Sequence, residues 1–244
     1  MSNIKALLKL LAPKMLLRAR ASYASLKPIA KRQCNICGYQ GWFDHFGLPP
    51  RLDAECPNCK SLERHRLLNL VMERALLPRN IKADSDVVLH FAPENIFERK
   101  FRQHYKNYKT ADLFAKADLK LNIEDINLPS ESIDVIIANH VLEHVDDGKA
   151  ATELYRILNF GGMLICMVPI VEGWAKTYEK SGVVTDADRW LHYGQYDHVK
   201  FYGHDFRERI GSKGFQKSME YTAEGQDVID YGLLRGEKVF VFVK

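Results

Sequence analysis

Four cysteines stand in two close pairs: Cys34-Asn-Ile-Cys37 and, after 18 intervening residues, Cys56-Pro-Asn-Cys59. Two thiolates separated by two residues can turn back onto one cation, and a second pair completes the tetrahedron that zinc accepts. A four-thiolate site is closed to water, so the expected role is structural. Gly38 and Pro57 suit the tight turns such a site needs. Two disulfides would require an oxidising compartment, to which nothing else in the chain points. A redox motif would use one such pair beside a βαβ unit, not two. The fifth cysteine, Cys166, sits in the apolar run Met163–Ile170 and reads as a core thiol. Trp42, Phe43, Phe46 and Leu48 lie between the pairs and are expected to pack around the ion. Ser61 is placed to cap a helix carrying Leu67, Leu68, Leu70 and Val71. Arg64, His65 and Arg66 could grip a phosphate or acidic substrate; tying the ribbon to the next domain is the plainer expectation.

A second group of polar residues falls at the ends of expected strands. Apolar runs at Asp86–Phe91, Tyr108–Asp112, Leu119–Ile123, Asp134–Asn139 and Met163–Ile170 alternate with helical stretches, among them Ile96–Tyr105 and one carrying Ala150, Ala151, Leu154, Tyr155 and Leu158 that ends near Gly161-Gly162. A helix near Phe206–Ser212 and strands at Phe215–Tyr221 and Lys238–Val243 follow. This alternation predicts an α/β fold with a mostly parallel sheet covered on both faces. Such sheets bind ligands beyond the carboxyl ends of their strands. Asp112 closes the second strand, 22 residues after His90, where a carboxylate can accept hydrogen bonds from a ribose diol. Asn122 and Ile123 offer an amide edge and an apolar face for an adenine, and Asn139-His140 closes the fourth strand. Singly, each is an ordinary loop residue; together they mark a nucleotide-cofactor site.

The basic charge is confined to one end. Residues 1–33 hold eight Lys or Arg and no acid, which leaves the remainder of this +4 chain at −4. A mildly acidic body argues against a broad nucleic-acid footprint. Ile4, Leu7, Leu8, Leu11 and Met15 share one helix face, with Lys5 and Lys9 beside it. That suits a helix lying on a membrane surface, or one that packs on the body. An acid-free, Arg-bearing start also resembles an organelle transit peptide. No apolar run is long enough to span a bilayer, and no cleavage site closely follows the first apolar segment. The expected location is cytoplasmic, with residues 1–33 able to meet a membrane surface. The expected domains are that basic tail, a zinc ribbon with its linking helix over 34–80, and a catalytic domain over 81–244.

Asp134-Val-Ile-Ile-Ala-Asn-His-Val-Leu-Glu-His-Val-Asp147, followed by Glu153-Leu-Tyr-Arg-Ile-Leu-Asn-Phe-Gly-Gly162, resembles the class I S-adenosylmethionine-dependent methyltransferases of the type 11 kind. The ribbon with Cys56-Pro-Asn-Cys59-Lys-Ser-Leu-Glu-Arg-His-Arg66, together with His90-Phe-Ala-Pro-Glu94, is similar to a bacterial subgroup. The resemblance implies a Rossmann-like sheet of seven strands with the last one antiparallel. It implies that Asp112 holds the cofactor ribose, that Asn122 and Ile123 face adenine, and that Asn139 and His140 lie near the cofactor. The first loop departs from the family's glycine-rich turn: His90, Ala92 and Glu94 occupy it, Ala92 small enough for close approach and Glu94 able to meet the cofactor's ammonium.

Methyl transfer is an in-line displacement that mainly requires alignment and exclusion of water. Residues 171–205 form the natural lid and are rich in rings: Trp174, Tyr178, Trp190, Tyr193, Tyr196, Phe201 and Tyr202. Asp197, His198 and, from the fourth strand's loop, His144 are the candidate bases. The expected acceptor is a small molecule or glycan methylated on oxygen or nitrogen. The competing functions are an RNA methyltransferase that reads through its zinc ribbon, disfavoured by the acidic body and by the lack of an Asn-Pro-Pro-Tyr-type motif, and a non-catalytic adaptor.

Overall fold

The computed structural model describes residue 16 and residues 29–47, 50–76 and 81–244. The expected amphipathic helix of residues 4–15 and the side chain of Leu48 lie outside these described residues. The chain divides into two compact units: residues through Asn69 together with Glu224–Arg235, and Leu70–Ala223 together with Gly236–Lys244.

The first unit is built on two hairpins. β1 (Lys31–Gln33) pairs antiparallel with β2 (Gln40–Trp42), and β3 (Asp44–Phe46) with β4 (Arg51–Glu55). α1 (Glu63–Val71) then passes from this unit into the second. Each cysteine pair sits in the same kind of knuckle. Cys34 N–H donates to Tyr39 O at 2.8 Å and Gly38 N–H to Cys34 O at 2.9 Å; Cys56 N–H donates to Ser61 O and Lys60 N–H to Cys56 O, both at 2.9 Å. Gly38 and Lys60 occupy equivalent left-handed positions, with φ of 76° and 61°. Lys60 adopts that strained conformation while pairing with Glu55 at 2.9 Å.

Arg66 locks this unit. Its guanidinium is fully buried and donates to the carbonyls of Ser61, Ala54, Tyr231 and Gly232 at 2.6–2.9 Å. Burial pushes its pKa below the ordinary value, and its charge lies over the Phe43 ring. The side chain is therefore a backbone clamp, and no phosphate-binding role is left for it. The clamp reaches α6 (Gly225–Tyr231) and its Gly232 cap, a segment the sequence placed in the catalytic domain. Two further expectations are corrected here. Phe43 is buried among the cysteines, but Trp42 and Phe46 are exposed. Ser61 does not cap α1: its hydroxyl lies 3.3 Å from both Cys34 Sγ and Cys59 Sγ, and His65 Nδ1 accepts the Leu62 N–H instead.

The second unit holds a seven-stranded sheet. In sequence its strands are β5 (Val87–Phe91), β6 (Asn107–Asp112), β7 (Leu119–Lys120), β8 (Ile133–Asn139), β9 (Leu158–Met167), β10 (Gln216–Thr222) and β11 (Lys238–Val243). In space the order is β10-β11-β9-β8-β5-β6-β7. β5 to β9 pair in parallel; β11 is antiparallel to both β9 and β10, so six strands share one direction and β11 opposes them. The central strands are buried along nearly their whole length, as both faces of a parallel sheet must be. α2 (Asn95–His104) covers one crossover and α3 (Asp147–Ile157) the next. Asp146 Oδ1 caps α3 by accepting from Gly148 and Lys149 N–H. α3 stops at Ile157, short of Gly161, because Leu158 turns extended and pairs with Ile133 before a bulge runs through the glycines. Cys166 lies wholly inside β9, and burial pushes its thiol pKa well up.

The lid, residues 171–205, contains α4 (Asp186–Tyr193), which the sequence reading left as loop. The lid leads into α5 (Phe206–Gly211). It is held by parallel and antiparallel bridges, Ile170 to Tyr202 and Tyr178 to Phe201. Gly203 permits this crossing: a Cβ there would lie 2.5 Å from Lys176 O and 2.7 Å from Trp174 O. Gly203→Ala is therefore expected to destabilise the protein by about 1–3 kcal/mol through overpacking against backbone that cannot yield. Chemical denaturation measures this, and an unchanged midpoint would contradict the crossing. No helix among the described residues is long and apolar enough to cross a membrane.

Candidate cofactor cavity

A cavity of about 420 Å³ opens along the carboxyl ends of four neighbouring parallel strands. Phe91 and Ala92 come from the end of β5, Ala111 to Phe114 from β6, Leu121 to Ile123 from the turn after β7, and His140, Val141, His144 and Val145 from beyond β8. The lid adds Arg189 and Asp197. Its size suits a small-molecule site.

Two strand ends are shaped alike. Ala92 N–H donates to Ala111 O at 2.9 Å and His140 N–H to Met167 O at 2.8 Å, so each residue extends the ladder by one bond. Each then turns sharply through a left-handed conformation, φ 44° at Ala92 and 52° at His140. Non-glycine residues are rarely held there, and such strain clusters at functional sites. Ala92 thus reproduces with a methyl side chain the turn for which a glycine is the easier choice.

Asp112 is only half committed. Its Oδ1 accepts from the backbone N–H of Phe114 and of Ala115, both at 2.7 Å. These bonds fix the carboxylate and leave Oδ2 without a partner among the described residues. Beside it the Phe114 ring is 93 % exposed at the cavity's rim. Asn122 Oδ1 is used by Glu124 N–H at 3.0 Å, and Ile123 is buried against the cavity. Arg189, for which the sequence carried no expectation, lines the cavity with its Nε buried and without a partner among the described residues.

Three expected cofactor residues lie elsewhere. Strand alternation turns His90 to the opposite face from Leu89 and Phe91. There it is fully buried between Tyr108 OH, 2.8 Å from Nδ1, and Glu94 Oε2, 3.2 Å from Nε2. Glu94 stands at the start of α2 and does not line the cavity. Asn139 is buried behind it, with neither amide atom partnered among the described residues.

The three candidate bases do come together. His144 Nδ1 lies 3.1 Å from Asp197 O and 3.5 Å from its Oδ2. The His144 and His198 rings meet edge to face at 4.7 Å. His198 stands outside the lining, and burial pushes its pKa below the ordinary imidazole value despite the opposing field of Glu143. None of the seven lid rings lines the cavity; Trp174 packs with Tyr178 and Phe201, Tyr178 with Tyr193 and Tyr202 with Phe206, while Trp190 and Tyr196 are exposed.

Residues 88–166, from β5 to β9, match the family model described as a methyltransferase domain. This stretch, about a third of the chain, is similar to a methyltransferase domain. A search of the curated proteins finds no match. Among solved structures, an S-adenosylmethionine-dependent methyltransferase from Mesorhizobium loti is 14% identical, with 71% of this chain and 98% of that one covered and a TM-score of 0.50. The [4+2]-cyclase SpnF is also 14% identical, with 73% and 80% covered and a TM-score of 0.50. At such identity these likenesses speak to the fold alone. A cyclase on the same fold makes the point, since the architecture by itself does not fix the reaction.

In the first unit the four cysteines converge. Cys34 Sγ lies 3.5 Å from Cys59 Sγ and Cys37 Sγ 3.7 Å from Cys56 Sγ, and all four thiols are free. A disulfide would need about 2.05 Å. Thiolates about 2.3 Å from a tetrahedral zinc stand about 3.8 Å apart, so the donor set fits that ion.

Proposed function

We propose that this methyltransferase methylates an oxygen or nitrogen of a small-molecule or sugar-containing acceptor, and that a zinc ion in the cysteine tetrad holds the first unit together. The observation that carries the reading is the strand-end cavity, with a charged oxygen and an uncovered ring at one side and titratable groups at the other. S-adenosylmethionine, when bound, supplies an electrophilic methyl on a sulfonium. Asp112 Oδ2 would accept from its ribose, Ile123 and Phe114 would flank its adenine, Ala92 would let it approach the backbone, and Arg189 would meet its carboxylate. Asp197 reaches the cavity and would take the acceptor's proton. His198, expected as a base, does not line the cavity and meets the His144 ring edge to face.

Asp112→Ala is expected to weaken S-adenosylmethionine binding by about 1.5–3 kcal/mol, roughly 10- to 150-fold. Calorimetry checks this. Asp112→Asn keeps an acceptor for the loop while removing the charge, and so separates ribose binding from loop collapse. Equal affinity in both variants would refute the assignment, and a wild-type protein that binds no cofactor would favour a non-catalytic role.

A further inference from the structure

The turn after β8 and the end of the lid bring together Glu143, His144 and His198, each with one ligating atom within 4.8 Å of the others. Val199 N–H donates to Glu143 O at 3.0 Å and fixes the lid against that turn. Glu143 is fully buried, and no Lys or Arg among the described residues is paired with it; the charged-capable partner recorded is His140, whose Nδ1 lies 3.2 Å from Oε1. Its Oε2 is buried with no hydrogen-bond partner among the described residues, and so is His198 Nδ1. His144 Nδ1 faces the Asp197 carbonyl, an acceptor, and must carry the proton; the ring's lone pair is therefore on Nε2. Two imidazoles and one buried carboxylate thus bring one ligating atom each to within 4.8 Å of one another, and no Lys or Arg among the described residues neutralises the carboxylate. Burying such a charge is costly unless it is paired or bound to metal.

We propose that Glu143, His144 and His198 form a mononuclear site for a divalent cation at the edge of the cofactor cavity. One carboxylate and two imidazoles suit a first-row transition ion such as manganese, iron or zinc, rather than calcium or magnesium with their oxygen shells. Ligands about 2.1 Å from one ion lie at most about 4.2 Å apart, so the side chains would close by a few tenths of an ångström. Three protein ligands leave positions open, unlike the closed cysteine tetrad. His140, His144 and Asp197 line the cavity, so those positions are available to a hydroxyl acceptor there. His140 acts as a positioning residue through Glu143 Oε1. The catalytic role rests on the methyl-transfer reading. The cation draws the acceptor's hydroxyl oxygen and makes it more acidic. Its proton passes to Asp197, the oxygen–carbon bond forms as the carbon–sulfur bond breaks, and the electron pair of the broken bond stays on sulfur.

Mn²⁺ is the probe, because it takes nitrogen and oxygen ligands and leaves a thiolate tetrad alone. The full-length protein is titrated with Mn²⁺ while the free-ion paramagnetic resonance signal is followed, and S-adenosylmethionine binding is measured in parallel by calorimetry. Wild type should take up one Mn²⁺ per chain. His198→Ala should weaken that uptake at least about tenfold while still binding the cofactor, which shows that it has folded. Glu143→Gln should do the same if it folds; buried as it is, it is the supporting variant and His198→Ala the deciding one. A wild-type protein that binds cofactor but no Mn²⁺ overturns the metal site and spares the methyl-transfer reading. Uptake of Mn²⁺ without cofactor binding keeps the site and overturns that reading. Uptake unchanged in His198→Ala places the ion elsewhere and overturns the assignment.

Discussion

Cys56→Ser is expected to release the metal from the first unit and to unfold residues 31–66. Zinc held by thiolates contributes on the order of 10–16 kcal/mol to folding of a small metal-bound unit, far more than the rest of such a unit can replace. The rest here is small: the hydrophobic cluster consists of Phe43 with Cys34 and Cys56, backed by Ile36, Tyr39 and Cys59. Arg66 adds four backbone bonds, but its carbonyl partners at Ala54 and Ser61 flank the second knuckle and lose their place when that knuckle opens. Metal analysis should find one zinc per chain in wild type and none retained in the variant, and limited proteolysis should cut between Lys31 and Arg66. A wild-type protein without zinc, or a variant that keeps it, would defeat the structural-metal reading.

The sheet was legible because its strands are short apolar runs separated by helices, and such patterns survive any tertiary context. Strand ends form the crevice in this architecture, so Asp112, Asn122, Ile123 and His140 are expected by rule where the structure has them, along the cavity. His90 and Glu94 were misplaced for a reason equally physical. A strand has two faces, and counting residues to a strand end does not say which face the last side chain takes. Arg189 was missed because α4 was missed, although its signals were present. Thr185 accepts from Asp188 N–H, and Gly194 closes the helix at φ 74°, a capping pattern readable as Thr-x-x-Asp before a glycine. The density of rings drew attention to stacking instead. The grouping of Glu224–Arg235 with the cysteine unit had no local signal at all. It depends on carbonyls of Tyr231 and Gly232 meeting an arginine some 165 residues earlier in the chain, which no pattern of polarity records.

Asp147→Ala is expected to loosen the lid at its root. The carboxylate is buried and joins three elements: Lys200 Nζ of the lid at 2.6 Å, Arg209 of α5 at 2.6 Å through Nε, and its own helix α3. Lys200 is itself only 1% exposed, with Glu179 3.3 Å away as its second partner. Removing one member of such a group strands the others, and this typically costs 3–5 kcal/mol. At about 2–4 °C per kcal/mol for a protein of this size, the melting temperature should fall by roughly 6–20 °C. The same group sets an acid limit. Burial alone would raise the Asp147 pKa, but hydrogen bonds from Arg209 and Lys200 outweigh it and hold the carboxyl below its ordinary value. A carboxyl depressed in the folded state stabilises fully above its unfolded pKa of about 3.9 and loses that contribution as pH falls through the folded value. Wild type should therefore lose stability on acidification below about pH 4, and Asp147→Ala should show a shallower loss there because it has already forfeited this contribution. His198 and Asp197 lie within three residues of Lys200, so proteolytic nicking of residues 171–205 should rise in the variant as the cavity's lid-borne wall detaches. Melting curves across pH test both halves. A variant that melts within 2 °C of wild type, or keeps the full acid limb, would show that the lid is held by its strand bridges and aromatic packing rather than by this buried ion group.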